Sequence, residues 1–214
     1  MDRSRIVSVQ TDEPRDITRS RGRLAEVALL IVTFAISFLA SSFWWGSWKF
    51  GLGFVLLIFV HELGHVFEAR RQGVHVSLPI FIPLFGAFVM VRHAGLAPWR
   101  NALISLAGPF AGGVGAATAW AFGSAHDSHW LVQLAYIGFF FNALNLLPIG
   151  FLDGGTAYRS VLASRRGWIR FEKGIPVEAL PPDKERATLI TVLYLVLAAA
   201  LVAGLLATRH TAMF

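Results

Sequence analysis

The chain has no cysteine and few charged residues. Without cysteine there is no disulfide, no thiolate nucleophile and no cysteine-bound metal, so any metal must be held by His, Asp or Glu. Charged residues make up 15% of the 214 residues, whereas ordinary soluble domains contain about 25%. This scarcity, together with a hydrophobic content of 55%, excludes a disordered chain and disfavours a soluble globular domain.

Acidic residues are fewer than basic ones. The chain carries 13 acidic residues against 19 lysines and arginines, a net charge of +6, and its pI is near 10.5. A basic patch for nucleic acid is one explanation of such a balance. The apolar fraction is too high for that class, and the basic residues lie between long apolar runs. We therefore predict no nucleic-acid partner.

Long apolar runs dominate what is present. Residues 27–45, 101–126, 128–152 and 187–208 contain no Asp, Glu, Lys or Arg, and a membrane-spanning helix needs about 20 apolar residues. A fifth run, residues 50–69, is equally apolar apart from a few ionisable side chains. The predicted fold class is an all-α polytopic membrane protein. One membrane domain, residues 24–208, lies between an N-terminal tail (1–23) and a C-terminal tail (209–214), with spans at about 24–45, 50–71, 101–123, 130–152 and 187–208.

The basic residues predict how these spans are oriented. With the N-terminus in the cytoplasm, 17 of the 19 lysines and arginines fall in cytoplasmic segments, and only Lys49 and Arg209 lie outside. This is the bias that the positive-inside rule describes for five spans. We expect a multi-pass protein of the cell (inner) membrane, in contact with anionic lipid, with its C-terminus outside.

Two segments between the spans are ambiguous. Residues 74–91 are apolar and β-prone, but Pro79 and Pro83 would break a helix. They predict a short β-hairpin or re-entrant segment at the inner face, with a plain interfacial loop as the alternative. Residues 164–186 contain three prolines and are interpreted as a linker, with a regulatory role as the alternative.

The third span is rich in small residues. Gly108, Gly112, Gly113 and Gly115 recur at spacings that let helices approach closely. Close packing is the expected role of these glycines, rather than contact with a ligand. Asn142, a polar residue in the fourth span, predicts an interhelical hydrogen bond more than a catalytic role.

The chemistry is concentrated in the second span. His61-Glu62-Leu63-Gly64-His65 is an H-E-x-x-H motif. On a helix the two histidines lie on one face, so both can bind one Zn²⁺. Glu62 is turned about 100° away and can accept a proton from water. Three ionisable groups inside an apolar span are costly and favour a functional site over chance.

Two histidines leave a third ligand to be found. His126 and His129 fall on the outer side, His75 and His93 suit loop positions, and Glu68 lies a full turn beyond the metal. Asp153 fits best, because it and His65 both lie about 8–9 Å before the first inner arginine on parallel helices. Pro148 and Gly150 break the helix before it, so its carboxylate can turn inward.

These residues together carry a family resemblance. H-E-x-x-H followed by Asn145-Leu146-Leu147-Pro148-Ile149-Gly150-Phe151-Leu152-Asp153-Gly154 resembles the site-2 proteases, as does Ala107-Gly108-Pro109 between them. The resemblance implies one Zn²⁺ per chain held by His61, His65 and Asp153, with Glu62 as general base. It also implies that Asn145 contacts the substrate or the reacting carbonyl.

The resemblance further implies an activity and partners. A membrane-embedded zinc endopeptidase would cut membrane-anchored proteins in or near their transmembrane segments, with an active site nearer the cytoplasm. The inner β-segment would pair with extended substrate. A metal transporter and a non-catalytic substrate-binding homologue are the alternatives, and the sequence leaves open a homo-oligomer.

Overall fold

The computed structural model describes residues 15–84, 86–89, 96–172 and 175–212. Helices dominate these residues, and two small antiparallel sheets accompany them, so the all-α polytopic prediction is confirmed. The tail residues 1–14 and 213–214 and residues 85, 90 and 91 of the β-prone segment lie outside the described residues. The elements are α1 (Arg15–Trp45), α2 (Trp48–Arg71), β1 (Ile80–Ile82), β2 (Gly86–Phe88), α3 (Pro98–Ala125), α4 (His129–Asn145), α5 (Asp153–Arg166), β3 (Trp168–Glu172), β4 (Ile175–Leu180) and α6 (Lys184–Ala212).

Within the described residues, four helices are long and apolar enough to cross a membrane. They are residues Arg23–Trp45 of α1, all of α2 and α3, and Lys184–Arg209 of α6. The predicted count of five spans is not confirmed, because the helix expected over residues 130–152 ends at Asn145 after 17 residues. Pro148 disfavours helix before it, and Gly150 has a positive φ of 47°. The chain becomes helical again at Asp153.

The third helix is the centre of the bundle. It packs against α2, α4, α5 and α6. Gly108, Gly112 and Gly113 are buried on it, so the predicted close packing is confirmed. A buried apolar core joins Leu106 of α3 to Phe139 of α4 and to other helices. Helices α2 and α5, which carry the predicted ligands, both pack against α3.

The β-prone segment forms a hairpin beside α2, so that prediction is confirmed and the loop alternative is wrong. Strand β1 pairs antiparallel with β2, with Ile80 opposite Phe88. The buried Phe81 ring packs edge-on against Phe34 of α1, and its N–H donates to Thr33 Oγ1 at 3.3 Å. Strand β1 is therefore fastened to α1, while β2 lies against α2.

A second hairpin follows α5 and occupies most of the segment 164–186, which the sequence analysis interpreted as a linker. Strand β3 pairs antiparallel with β4, and Arg170 forms an ion pair with Glu178 at 3.3 Å across the strands. Gly167, with a φ of 82°, separates α5 from β3. Pro176 is tolerated because each strand of a two-stranded sheet is an edge strand.

Candidate metal centre

The two motif histidines meet at one point beside α2. His61 and His65 are one helical turn apart, and their Nε2 atoms are 3.1 Å from each other. His61 is 7% exposed. The spacing of four residues places both rings on the helix face that packs on α3 and α4.

Asp153 reaches the same point from α5. Its Oδ2 lies 3.1 Å from His61 Nε2 and its Oδ1 lies 3.3 Å from His65 Nε2. The predicted inward turn of this carboxylate is therefore present, although Asp153 begins a new helix instead of ending the fourth span.

The glycine that follows Asp153 explains how the helix can begin there. A Cβ on Gly154 would lie 2.0 Å from the carbonyl oxygen of Leu146, at the end of α4. Only glycine lets that backbone pack on the first turn of α5. Arg159 also holds the connecting loop, since its Nη1 donates to the Gly150 carbonyl at 2.6 Å.

The remaining ring nitrogens of both histidines are paired. His65 Nδ1 donates to the Ile104 carbonyl at 2.8 Å, and His61 Nδ1 donates to Asn142 Oδ1 at 2.8 Å. A carbonyl oxygen can only accept, so each Nδ1 carries the proton in the neutral ring. Each Nε2 then turns a lone pair towards Asp153. Asn142 thus makes the predicted interhelical hydrogen bond, between α4 and α2.

The donor set fits a zinc ion. Two imidazole lone pairs and a carboxylate face one another at 3.1–3.3 Å, and without a cation three such acceptors repel. Ligand atoms about 2.0–2.1 Å from one tetrahedral ion lie about 3.3 Å apart. Two nitrogens and one oxygen, with a fourth position open, are a donor set typical of catalytic zinc.

A cavity of about 540 Å³ adjoins these three side chains. Glu62, which is buried, and Asn145, the last residue of α4, both line it. Strand β2 lines it as well, through Gly86, Ala87 and Phe88. The structure therefore brings all five predicted site residues to one cavity, together with the edge of the hairpin.

The other candidate ligands lie elsewhere. Glu68 is held by Arg71 at 2.7 Å and by Gln72 at 2.6 Å. His75, His126 and His129 are exposed, and none of them joins the cluster of metal-binding atoms found in the described part of the chain. His93 lies outside the described residues.

Two glycines of α3 are part of the site, which the sequence analysis missed. A Cβ on Gly108 would lie 2.1 Å from His65 Nε2, and a Cβ on Gly112 would lie 2.2 Å from Asn142 Oδ1. Their spacing of four residues on one helix face is the signal that could have linked them to the motif helix.

Comparison with known proteins agrees with the geometry. The model of "Peptidase family M50" matches residues 49–127 and 124–177, which include all five site residues. The chain belongs to peptidase family M50. This is the site-2 protease family, so the resemblance seen in the sequence is confirmed. The multiple apolar helices agree with a multi-pass membrane protein of this family.

Two curated relatives are similar to this M50 chain. A zinc metalloprotease of Methanocaldococcus jannaschii is 26% identical over 152 residues, which cover 69% of this chain and 43% of the relative. A probable chloroplastic zinc metalloprotease of Arabidopsis thaliana is 29% identical over 152 residues, covering 49% of this chain and 28% of the relative. The chain thus spans less than half the length of either relative.

Proposed function

We propose that this chain is a membrane-embedded zinc endopeptidase that hydrolyses peptide bonds in or near transmembrane segments of membrane-anchored proteins. The observation that carries the proposal is the convergence of His61, His65 and Asp153 in a cavity that also contains Glu62. Membership of a peptidase family supports the peptide bond as the target. Regulated intramembrane proteolysis of membrane-anchored regulators, such as bacterial anti-sigma factors, is the corresponding cellular role.

One zinc ion would be held by His61 Nε2, His65 Nε2 and the Asp153 carboxylate. When bound, zinc supplies Lewis acidity, which polarises a carbonyl and makes water a stronger acid. The Ile104 carbonyl accepts a hydrogen bond from the His65 ring, and the Gly154 turn positions the carboxylate.

Glu62 is the proposed general base. It follows His61 directly and is therefore turned about 100° from it around the helix axis, away from the ligand positions. It still lines the cavity. Its carboxylate would take a proton from the water that attacks the scissile carbonyl, and would pass that proton to the leaving amine as the C–N bond breaks.

Asn145 is the proposed partner of the carbonyl oxygen. It lies at the end of α4 and lines the same cavity. Its amide N–H groups would donate to the oxygen as negative charge develops on it, which lowers the energy of the transition state.

The hairpin supports a proposal for substrate binding. A transmembrane helix hides its peptide bonds in its own hydrogen bonds, so the substrate must unwind locally, which Gly or Pro would favour. Strand β2 pairs with β1 on one edge and lines the cavity. Its other edge would pair with the extended substrate strand.

The decisive experiment uses purified protein reconstituted with a transmembrane substrate. Glu62→Gln removes the base and leaves the three ligands in place, so it should retain zinc and lose cleavage. The control is Glu26→Gln, an exposed position on α1, which should cleave like the wild type. Cleavage by Glu62→Gln at the wild-type rate would contradict the proposal.

The same vesicles distinguish the transporter alternative. A transporter does not need a base beside its ligands, and it moves zinc across the membrane without cutting protein. Uptake of zinc by wild-type vesicles with no cleavage of the substrate would favour the transporter.

A further inference from the structure

Asn142 is a buried polar side chain that the proposed chemistry does not use. It is 4% exposed, on a helix whose other buried residues are Val132, Leu134, Ala135, Gly138 and Phe139. An amide buried among apolar groups is costly unless its hydrogen bonds are made. Both of its polar atoms are satisfied, Oδ1 by His61 Nδ1 at 2.8 Å and Nδ2 by the Gly138 carbonyl at 2.7 Å.

We infer that Asn142 is a positioning residue that holds His61 in the tautomer and rotation required to bind the metal. The inference rests on the proposed zinc site and adds a residue to it. Asn142 does not touch the ligand atoms and acts only through the far side of the His61 ring.

The hydrogen bonds fix which way the amide faces. The Gly138 carbonyl can only accept, so the NH₂ group of Asn142 faces it and the oxygen faces His61. That oxygen is also only an acceptor. His61 Nδ1 must therefore carry the proton, and Nε2 is left with the lone pair that points at Asp153.

The bundle makes room for this amide at one position. A Cβ on Gly112 would lie 2.2 Å from Asn142 Oδ1 and 2.6 Å from Nδ2. Any larger residue at 112 would push the amide off His61. The lack of a side chain at Gly112 thus leaves space for Asn142, and the lack of one at Gly108, on the same face of α3, leaves space for His65.

A purely structural role for Asn142 makes the opposite prediction from a positioning role. Leucine is similar in size and suits an apolar helix interface, so Asn142→Leu would be tolerated if the residue only packs. Asn142→Asp keeps the acceptor for His61 but buries a charge. If the residue only packs, Asn142→Asp would therefore disturb the protein more than Asn142→Leu does. For a positioning residue, Asp should preserve zinc binding and Leu should not.

The experiment measures zinc affinity by chelator competition and the visible spectrum of the Co²⁺-substituted protein. Asn142→Leu should weaken zinc binding by about 10–100-fold and change the Co²⁺ spectrum. Asn142→Asp should bind zinc more tightly than Asn142→Leu and keep a spectrum close to the wild type. The matched control is Gln133→Leu, an exposed amide on the same helix, which should match the wild type in both measurements.

A second pair of variants covers the case in which Asn142→Leu fails to fold. Gly112→Ala should displace the amide and weaken zinc binding. Gly115→Ala should not, because the nearest atoms to a Cβ there are side-chain carbons of Leu57 at 3.2 Å and of Val60 at 3.5 Å. Wild-type affinity and spectrum in Asn142→Leu, or in Gly112→Ala if Leu is unfolded, would overturn the inference while leaving the zinc proposal intact. A wild-type protein that binds no zinc would reject the zinc proposal itself.

Discussion

At the scale of single residues, the site is defined by what surrounds each ligand. His61 and His65 are both fixed through Nδ1, by a side-chain amide and by a backbone carbonyl. Their free nitrogens meet Asp153 at 3.1 and 3.3 Å. Preorganisation of this kind lets zinc bind without reordering the side chains.

Gly108 provides a residue-scale prediction. A methyl group there would lie 2.1 Å from His65 Nε2, and the ring cannot turn away while its Nδ1 is bonded to Ile104. Gly108→Ala should therefore weaken zinc binding by about 10–100-fold, the usual cost of disturbing a ligand's support. Chelator competition measures the loss, and an affinity equal to the wild type would show that the ring has room to shift.

Residue types could be predicted from the sequence where a motif fixes them. The spacing of His61 and His65 and the break before Asp153 predicted three side chains that the structure brings together. The contacts that hold the metal ligands in place could not be predicted, because Asn142 and Gly112 act between helices that are distant in sequence. A glycine stripe predicts close packing, but not which side chain occupies the space.

At the scale of elements, the α4–loop–α5 unit departs most from the predicted arrangement. The apolar run 128–152 predicted one span with a break at Pro148 and Gly150, but hydropathy did not show that α4 ends at Asn145 and that a separate helix begins at Asp153. Instead, the loop between the helices packs its carbonyl groups on Gly154 and is held by a hydrogen bond from Arg159. The new helix then begins at the ligand, Asp153. The Tyr194 hydroxyl of α6 also donates to the Leu146 carbonyl in this loop. A hydropathy pattern cannot report these contacts.

The β1–β2 hairpin provides an element-scale prediction. Phe81 fastens β1 to α1 through edge contacts with Phe34 and through the hydrogen bond to Thr33. Phe81→Ala should loosen the hairpin and raise KM for a transmembrane substrate. It should leave zinc affinity unchanged, because Phe81 is not among the residues that line the cavity. The control is Phe43→Ala, on α1 at 90% exposure. An unchanged KM would argue against the hairpin as the substrate-binding edge.

At the scale of the whole molecule, charge and hydropathy predict the arrangement in the membrane. Among the described residues, four helices are long and apolar enough to span. Helix α4 has 17 residues, which is at the lower limit of about 17 for a span. The basic residues predict that the chain before α4 is outside and that the end of α5 is in the cytoplasm. Such an arrangement requires the bilayer to be crossed between the start of α4 and the end of α5.

The lack of cysteine makes that arrangement easy to test. A single cysteine introduced at Asp127 or at Arg166, both exposed, can be labelled with a membrane-impermeant maleimide. We expect Asp127→Cys to react in intact cells and Arg166→Cys to react only after the membrane is opened. Labelling of both positions in intact cells would contradict the predicted orientation.

The most direct test of the account is the zinc content of the Asp153→Ala variant. The central claim is that two histidines of α2 and a carboxylate of α5 hold one metal ion, and removal of the carboxylate leaves only two ligands. Purified wild type should contain one zinc per chain, and Asp153→Ala should contain far less after identical dialysis. The control is Glu178→Ala in the second hairpin, outside the cavity, which should keep its zinc. Equal zinc in wild type and Asp153→Ala would contradict the claim.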